Sequence, residues 1–189
     1  GESRLLGGMM NLNYKYLDRY LFTATLRADA HSSFGANNRW GLFKGLSAGW
    51  RFSEEPFLKR FGWLGESKFR VSWGVSGRQP DDPYARFATY ASTYTGSYIT
   101  YPAIVPTQIQ LDNLQWESIE SIDLGLELNL FDDRLFVETD LYQKVTSDIL
   151  FKDYDIPASS GFSQLKFLNG GELENRGWEL MLDWKIIRK

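Results

Sequence analysis

Apolar and polar residues alternate with period two along most of this chain, the periodicity of strands whose two faces meet different surroundings. In the run 12–16 the apolar residues hold the even positions. The run 20–29 sets Tyr20, Phe22, Ala24, Leu26 and Ala28 against Thr23, Thr25, Arg27 and Asp29. A third run, 41–52, aligns Leu42, Leu46, Ala48, Trp50 and Phe52, with Lys44 as the exception on that face. A fourth, 68–76, sets Phe69, Val71, Trp73 and Val75 against Lys68, Arg70 and Ser72. In 120–130, Ile122, Leu124, Leu126, Leu128 and Leu130 oppose Ser121, Asp123, Gly125, Glu127 and Asn129. Leu135, Val137, Thr139 and Leu141 then oppose Glu138, Asp140, Tyr142 and Lys144, and a last run, 174–187, aligns Trp178, Leu180, Leu182, Trp184 and Ile186. The pattern predicts about seven long strands.

The connections sort into two kinds. Short turns at 17–19 and 131–134 are rich in Asp and Arg, while long Gly/Ser/Asn/Pro-bearing segments fill 30–40, 77–117 and 149–173. In an up-and-down meander alternate connections share an end, so all the long loops fall at one end and the short turns at the other. That asymmetry is characteristic of outer-membrane barrels, whose extracellular loops are long and periplasmic turns short. The segment 53–67 belongs to the short end but is too long for a turn; Ser53 as N-cap and Pro56 in the first turn predict a small helix there.

Composition supports the two-faced reading. Aromatics make up 16% of the chain and hydrophobics 43%, yet the mean hydropathy is negative, so apolar residues must be interleaved with polar ones. No run approaches ~18 apolar residues, the length of a membrane-spanning helix, whereas a barrel strand needs only ~9–11. The aromatics gather near predicted strand ends. Tyr16, Tyr20, Trp50, Phe52, Phe69 and Trp184 fall toward the short turns and Trp73, Trp116 and Trp178 toward the long loops, as two lipid-interface belts would require. A soluble, carbohydrate-binding β-sandwich and an outer-membrane barrel with no transport role remain open on pattern alone. The sandwich differs from a barrel in burying Ile122, Leu124, Leu126 and Leu128 in a protein core.

Candidate chemistry is sparse. The chain has no cysteine and a single histidine, His31, which excludes disulfides, thiol catalysis and a histidine-rich metal site. A net charge of −3 offers nothing to nucleic acid. Asp81-Asp82 and Asp132-Asp133 lack calcium-loop spacing, and the second pair reads as turn chemistry. Asp123, Glu127, Glu138 and Asp140 line adjacent strands on the polar face, where pairing with Arg or Lys outweighs general acid-base work. Gly35 and Gly77 read as loop-conformation residues. No cofactor motif occurs. The loop 84–101 sets Tyr84, Tyr90, Tyr94, Tyr98 and Tyr101 among Ser, Thr and Gly, a composition suited to contact with a sugar or a protein partner.

Four stretches carry a resemblance to a known family. "RYLFTATLRADAHSSFGANNRWGLFKGLSAGWRFSEEPFL" (19–58) resembles a signature of the SusC/RagA-like TonB-linked outer-membrane proteins of Bacteroidota through Arg19-Tyr20, Arg27, Asp29, Ser32-Ser33, Phe34-Gly35, Asn38-Arg39-Trp40-Gly41 and Ser47-Ala48-Gly49-Trp50-Arg51. "KFRVSWGVSGRQ" (68–79), the segment 114–150 and "NGGELENRGWELMLDW" (169–184) are similar to further family stretches, in the same order. Lys44-Gly45 departs from the usual Pro-Ser, and Arg78 from the usual Asn. The resemblance implies an all-β fold: a stretch of the C-terminal half of an antiparallel transmembrane β-barrel of about 22 strands. It also implies a plug and further strands outside this chain, a SusD-like surface lipoprotein, energy from the TonB complex, and import of oligosaccharides or peptides.

Overall fold

The computed structural model describes residues 2–98, 101–162 and 164–186. Seven long strands form one antiparallel sheet in the order β1 (Leu5–Tyr16), β2 (Tyr20–His31), β3 (Trp40–Trp50), β4 (Lys68–Arg78), β7 (Glu117–Leu130), β8 (Leu135–Ser147) and β11 (Glu172–Trp184). Two hairpins stand apart from it: β5 (Thr89–Tyr98) with β6 (Tyr101–Gln108), and β9 (Leu150–Asp155) with β10 (Gln164–Asn169). The seven predicted strands are therefore present, and both hairpins lie in segments read above as plain loops. Pro102 and Pro106 interrupt the pattern of β6; a proline cannot donate to a ladder and is confined to edges, which is where β6 sits.

Strand order follows chain order, so β2–β3, β4–β7 and β8–β11 are joined at one end and β1–β2, β3–β4 and β7–β8 at the other, as the loop lengths predicted. The two tight turns use left-handed backbone at Leu17 and Asp18 and at Phe131, Asp132 and Asp133. Such turns match the right-handed twist of the flanking strands.

The segment between β3 and β4 is a strap and not the predicted helix. Only Phe52–Glu54 is helical, as a single 3-10 turn. Phe52 therefore leaves the β3 face where the pattern had placed it and meets Trp50 edge-on, ring centres 5.8 Å apart. Pro56 disfavours helical backbone at the residue before it, and Glu55 is extended (φ −70, ψ 137). Ser53 caps no helix: its Oγ accepts from Ser67 N at 2.9 Å and donates to Ser67 O at 3.2 Å, tying the two ends of the strap together. Beyond the turn the backbone joins the foot of β7, with Gly65 N donating to Asn129 O and Phe131 N to Trp63 O, each at 2.7 Å.

Among the described residues no second layer covers the apolar face of the sheet. Ile122 is 42% and Leu124 38% exposed, and on the flanking strands Leu12, Leu46, Trp178 and Leu182 are more open still. The buried apolar residues, Phe34, Ala85, Leu114 and Phe167, all lie in the loops. A sandwich would bury Ile122 and Leu124, so the single-sheet architecture removes that alternative.

Register shows how the apolar band crosses the sheet. One row of register partners runs Tyr16–Tyr20–Trp50–Phe69–Leu126–Thr139–Leu180. It forms the lower rim of the band on β1 to β4, yet on β11 Leu182 and Trp184 continue below it. Higher up, the row Leu12–Ala24–Leu46–Trp73–Ile122–Gln143–Arg176 starts within the band and ends on two polar residues above it. A row perpendicular to upright strands would stay level. If the strands of a barrel tilt by ~35–45°, each row would cut a level lipid layer obliquely, and the band would slide along the strands from β1 to β11 as it does here. Such a tilt would set Gln143, Glu174 and Arg176, which share a face with leucines, above the layer.

Candidate functional site

Two surfaces carry polar chemistry, the second face of the sheet and the loop end. On the polar face Arg70 stands on β4 across from Gly125 on β7, which itself faces Asp140 on β8. A Cβ at Gly125 would stand 2.1 Å from Arg70 Nε and 2.6 Å from Asp140 Oδ1. The glycine thus lets the guanidinium pass over β7. Arg70 reaches Glu138 and Asp140 at 2.7 Å each and Glu127 at 3.3 Å, while Lys68 meets Glu127 at 3.0 Å. Ser72 Oγ donates to Asp123 at 3.4 Å. Of the four carboxylates singled out from the sequence, Glu127, Glu138 and Asp140 pair with cations as anticipated, while Asp123 is met by the Ser72 hydroxyl; the bridging Gly125 was not anticipated. A hollow of about 720 Å³ lies over this network, with Lys68, Arg70, Asp123, Asp140, Tyr142 and Glu179 in its lining. A second, of about 530 Å³, lies nearer the loops beside Arg27, Asp29, Phe43 and Trp116.

Gly125→Leu is expected to evict Arg70 from the carboxylates. Arg70 is 43% exposed, so solvent screening limits the loss to roughly 1–2 kcal/mol of barrel stability. A double-mutant cycle with Arg70→Leu checks this: the two losses should be markedly less than additive.

At the loop end three connections form one cap. Phe34 from the β2–β3 loop, Ala85 and Leu114 from the β4–β7 loop and Phe167 from β10 make a small core, with Leu111, Trp116 and Leu150 packed on it. Trp116 lies 4.4 Å from Phe34 and 5.4 Å from Phe43, ring centre to ring centre. It belongs to the cap rather than to an aromatic belt. The backbones close in as well: Gly35 N donates to Leu114 O at 3.0 Å, and a Cβ at Gly35 would meet Asp112 O at 1.8 Å. At Gly77 the obstacle to a Cβ is the Phe43 ring, 2.2 Å away. Neither glycine has positive φ, so lack of room, and not loop conformation, accounts for both. Asn169 clasps Gln115 through both backbone atoms at 2.9 Å, and Leu150 N donates to Glu117 at 3.0 Å. His31, buried at the end of β2, accepts from Ser33 N at 3.2 Å and serves the cap. Asp81 pairs with Lys152 at 2.5 Å and Asp82 with Lys166. These lysines hold both carboxyls below their ordinary range and pin the β9–β10 hairpin. Among the described residues no group of three or more His, Cys, Asp or Glu could hold a metal.

Of the loop tyrosines, Tyr84, Tyr90 and Tyr101 are 49%, 67% and 76% exposed. Tyr90 and Tyr101 stand on the β5–β6 hairpin, Tyr101 level with Tyr98; the side chains of Tyr94 and Tyr98 lie outside the described residues. Tyr84 packs beside Phe87 at 6.2 Å.

At the opposite rim Glu55 gathers the polar ends of two aromatics. It accepts from Tyr20 Oη at 2.8 Å and Trp50 Nε1 at 3.1 Å and pairs with Arg19 at 3.0 Å. Tyr16 stacks on Tyr20 with ring centres 6.3 Å apart. Trp184 and Trp178 are exposed on β11, Trp178 Nε1 donating to Thr139 at 2.6 Å, and Trp73 sits mid-strand on β4, donating to Glu120 at 2.6 Å. The bonds from Tyr20 and Trp50, with Arg19, hold the Glu55 carboxyl below the usual glutamate range. A depressed carboxylate contributes stability above its unfolded pKa and loses it as pH falls through the folded value. Thermal stability should therefore drop on acidification below the ordinary glutamate range. Glu55→Gln should flatten that part of the pH profile, measured as the temperature at which the barrel unfolds in detergent.

Comparison with known proteins gives this architecture its relatives. The family described as "TonB dependent receptor-like, beta-barrel" matches residues 2–188. TonB-dependent receptor P26 of Formosa agariphila is 39% identical over 183 residues, covering 94% of this chain and 18% of that protein. TonB-dependent receptor SusC of Bacteroides thetaiotaomicron is 35% identical over 183 residues, covering 93% of this chain and 18% of that protein. The chain thus spans less than a fifth of the length of these curated relatives. A chain of the RagAB peptide importer superposes with a TM-score of 0.87 at 25% identity, over 98% of this chain and 20% of its own length. The siderophore receptor PirA of Pseudomonas aeruginosa shares the fold at a TM-score of 0.61 and 15% identity, over 94% of this chain and 30% of its own. With the two-faced sheet and its loop asymmetry, these matches make the chain a member of the TonB-dependent receptor β-barrel family, a family of outer-membrane barrels, similar within it to SusC and RagA.

Proposed function

We propose that this chain forms part of the wall of a SusC-like importer in the outer membrane. It carries oligosaccharides or peptides inward on energy from the TonB complex, and it performs no catalysis. The observation that carries the reading is the single sheet with an uncovered apolar face and a charged opposite face, in a chain matching this family from end to end. The outer edges of β1 and β11 have no partner among the described residues. An unpaired edge is untenable in lipid, so further strands of the same barrel close on both, and a plug occupies the lumen that the Arg70 face lines. The capped loops point outward and the strap and tight turns face the periplasm. Tyr84, Tyr90, Tyr94, Tyr98 and Tyr101 then stand at the extracellular mouth, where they meet the cargo or a SusD-like lipoprotein. The aromatics Tyr16, Tyr20, Trp50, Phe52, Trp178 and Trp184 contact the lipid interfaces, while Trp73, at mid-strand, lies within the apolar layer.

The test is purification. The receptor that carries this chain should be extracted from outer membranes only by detergent, together with a surface lipoprotein. Recovery as a soluble monomer would overturn the reading.

A further inference from the structure

One charge on the apolar face stands out of place. Lys44 lies on β3 between Leu42 and Leu46, level with Leu26 on β2. The pair Gly45↔Gly74 sets it level with Val75 on β4. It is exposed, and among the described residues it enters no ion pair and no side-chain hydrogen bond. A lysine on the lipid face of a barrel is strongly destabilising at mid-membrane and close to neutral near an interface. Its long stem lets the ammonium rise toward the headgroups while the methylenes stay in the apolar layer.

Beside it, toward the turn end, runs an apolar groove of about 340 Å³ with Phe22, Ala24, Leu46, Ala48, Val71 and Trp73 in its lining. Alanines on two neighbouring strands leave a hollow that larger residues would fill. The closest anion on this face that is level with Lys44 is Glu120, beyond Val75 on β7. Strands spaced ~4.8 Å apart put it about 10 Å away, and it already accepts the Trp73 indole N–H at 2.6 Å.

We infer that the groove and Lys44 together bind a phosphate-bearing membrane lipid, its acyl chain in the groove and its headgroup phosphate on the Lys44 ammonium. Charge complementarity and continuity with the lipid-facing band favour this occupant over a protein. The site rests on the reading of the apolar face as lipid-facing.

The test is native mass spectrometry of the receptor that carries this chain, released from nanodiscs containing phosphatidylglycerol or diacylglycerol with the same acyl chains. The receptor should retain phosphatidylglycerol and hold diacylglycerol weakly. Lys44→Gln should lower phosphatidylglycerol retention about tenfold, the scale of one charge-assisted contact. Ala48→Leu, which fills the groove and spares the lysine, should lower it comparably, and Glu120→Gln should leave it unchanged. Heat-dependent gel mobility establishes that each variant is a folded barrel. Wild-type retention in Lys44→Gln or in Ala48→Leu would overturn the inference, as would loss in Glu120→Gln or release of the lipid by inorganic phosphate alone. A receptor that does not enter nanodiscs at all refutes the transport reading instead.

Discussion

Phe34→Ala should open the loop cap while leaving the barrel wall intact. Phe34 is fully buried and lies against Trp116 at 4.4 Å and His31 at 6.1 Å. Truncating a buried phenylalanine to alanine costs about 3–5 kcal/mol. Here the loss falls on one locally cooperative unit, because the cap's core draws on three loops and on none of the seven long strands. Hydrogen exchange at Gly35 and Asn38, whose amides bond within the cap, should accelerate by two to three orders of magnitude, on the order of 10-fold per 1.4 kcal/mol. Amides in the β7–β8 ladder should keep their rates. Equal acceleration in both regions would mean that cap and wall are one cooperative unit.

A charge introduced on the uncovered face should be the most damaging surface substitution in the wall. Leu124 lies on β7 between Ile122 and Leu126, within the apolar band. Leu124→Arg should cost about 2–4 kcal/mol if that face meets the middle of a bilayer. Ser121→Arg, on the opposite face of the same strand, should change stability by no more than about 0.5 kcal/mol, the usual range for a solvated position. Urea unfolding of the receptor in phospholipid vesicles measures both. A similar cost at the two positions would contradict a lipid-water difference between the faces.

The two-faced wall was legible because surroundings write period two directly into sequence. An apolar setting on one face accounts for Leu124, Leu126 and Leu128 at alternate positions, and a polar setting on the other for Asp123, Glu127 and Asn129 between them. The tight turns and the long loops fixed which strand ends lie together. The cap was not legible: Phe34, Ala85, Leu114 and Phe167 are far apart in sequence and share no period. Its hairpins were hidden for local reasons, prolines in β6 and only six residues in each of β9 and β10. The strap misled because Ser53 and Pro56 have the spacing of a helix start, whereas Pro56 holds Glu55 extended and the contacts of Ser53 with Ser67 and of Trp63 with Phe131 turn the segment onto the foot of β7. On the polar face the carboxylates could be read from the pattern. The path of Arg70 over Gly125 needed the register, which no single strand encodes.

The most direct test places single spin labels on β7 at positions 126 and 121, one on each face. In a reconstituted membrane the label at 126 should be accessible to dissolved oxygen and shielded from a water-soluble nickel complex, and the label at 121 should show the reverse. A label at 126 that is immobile and shielded from both would place Leu126 in a packed protein interior and contradict a wall exposed to lipid.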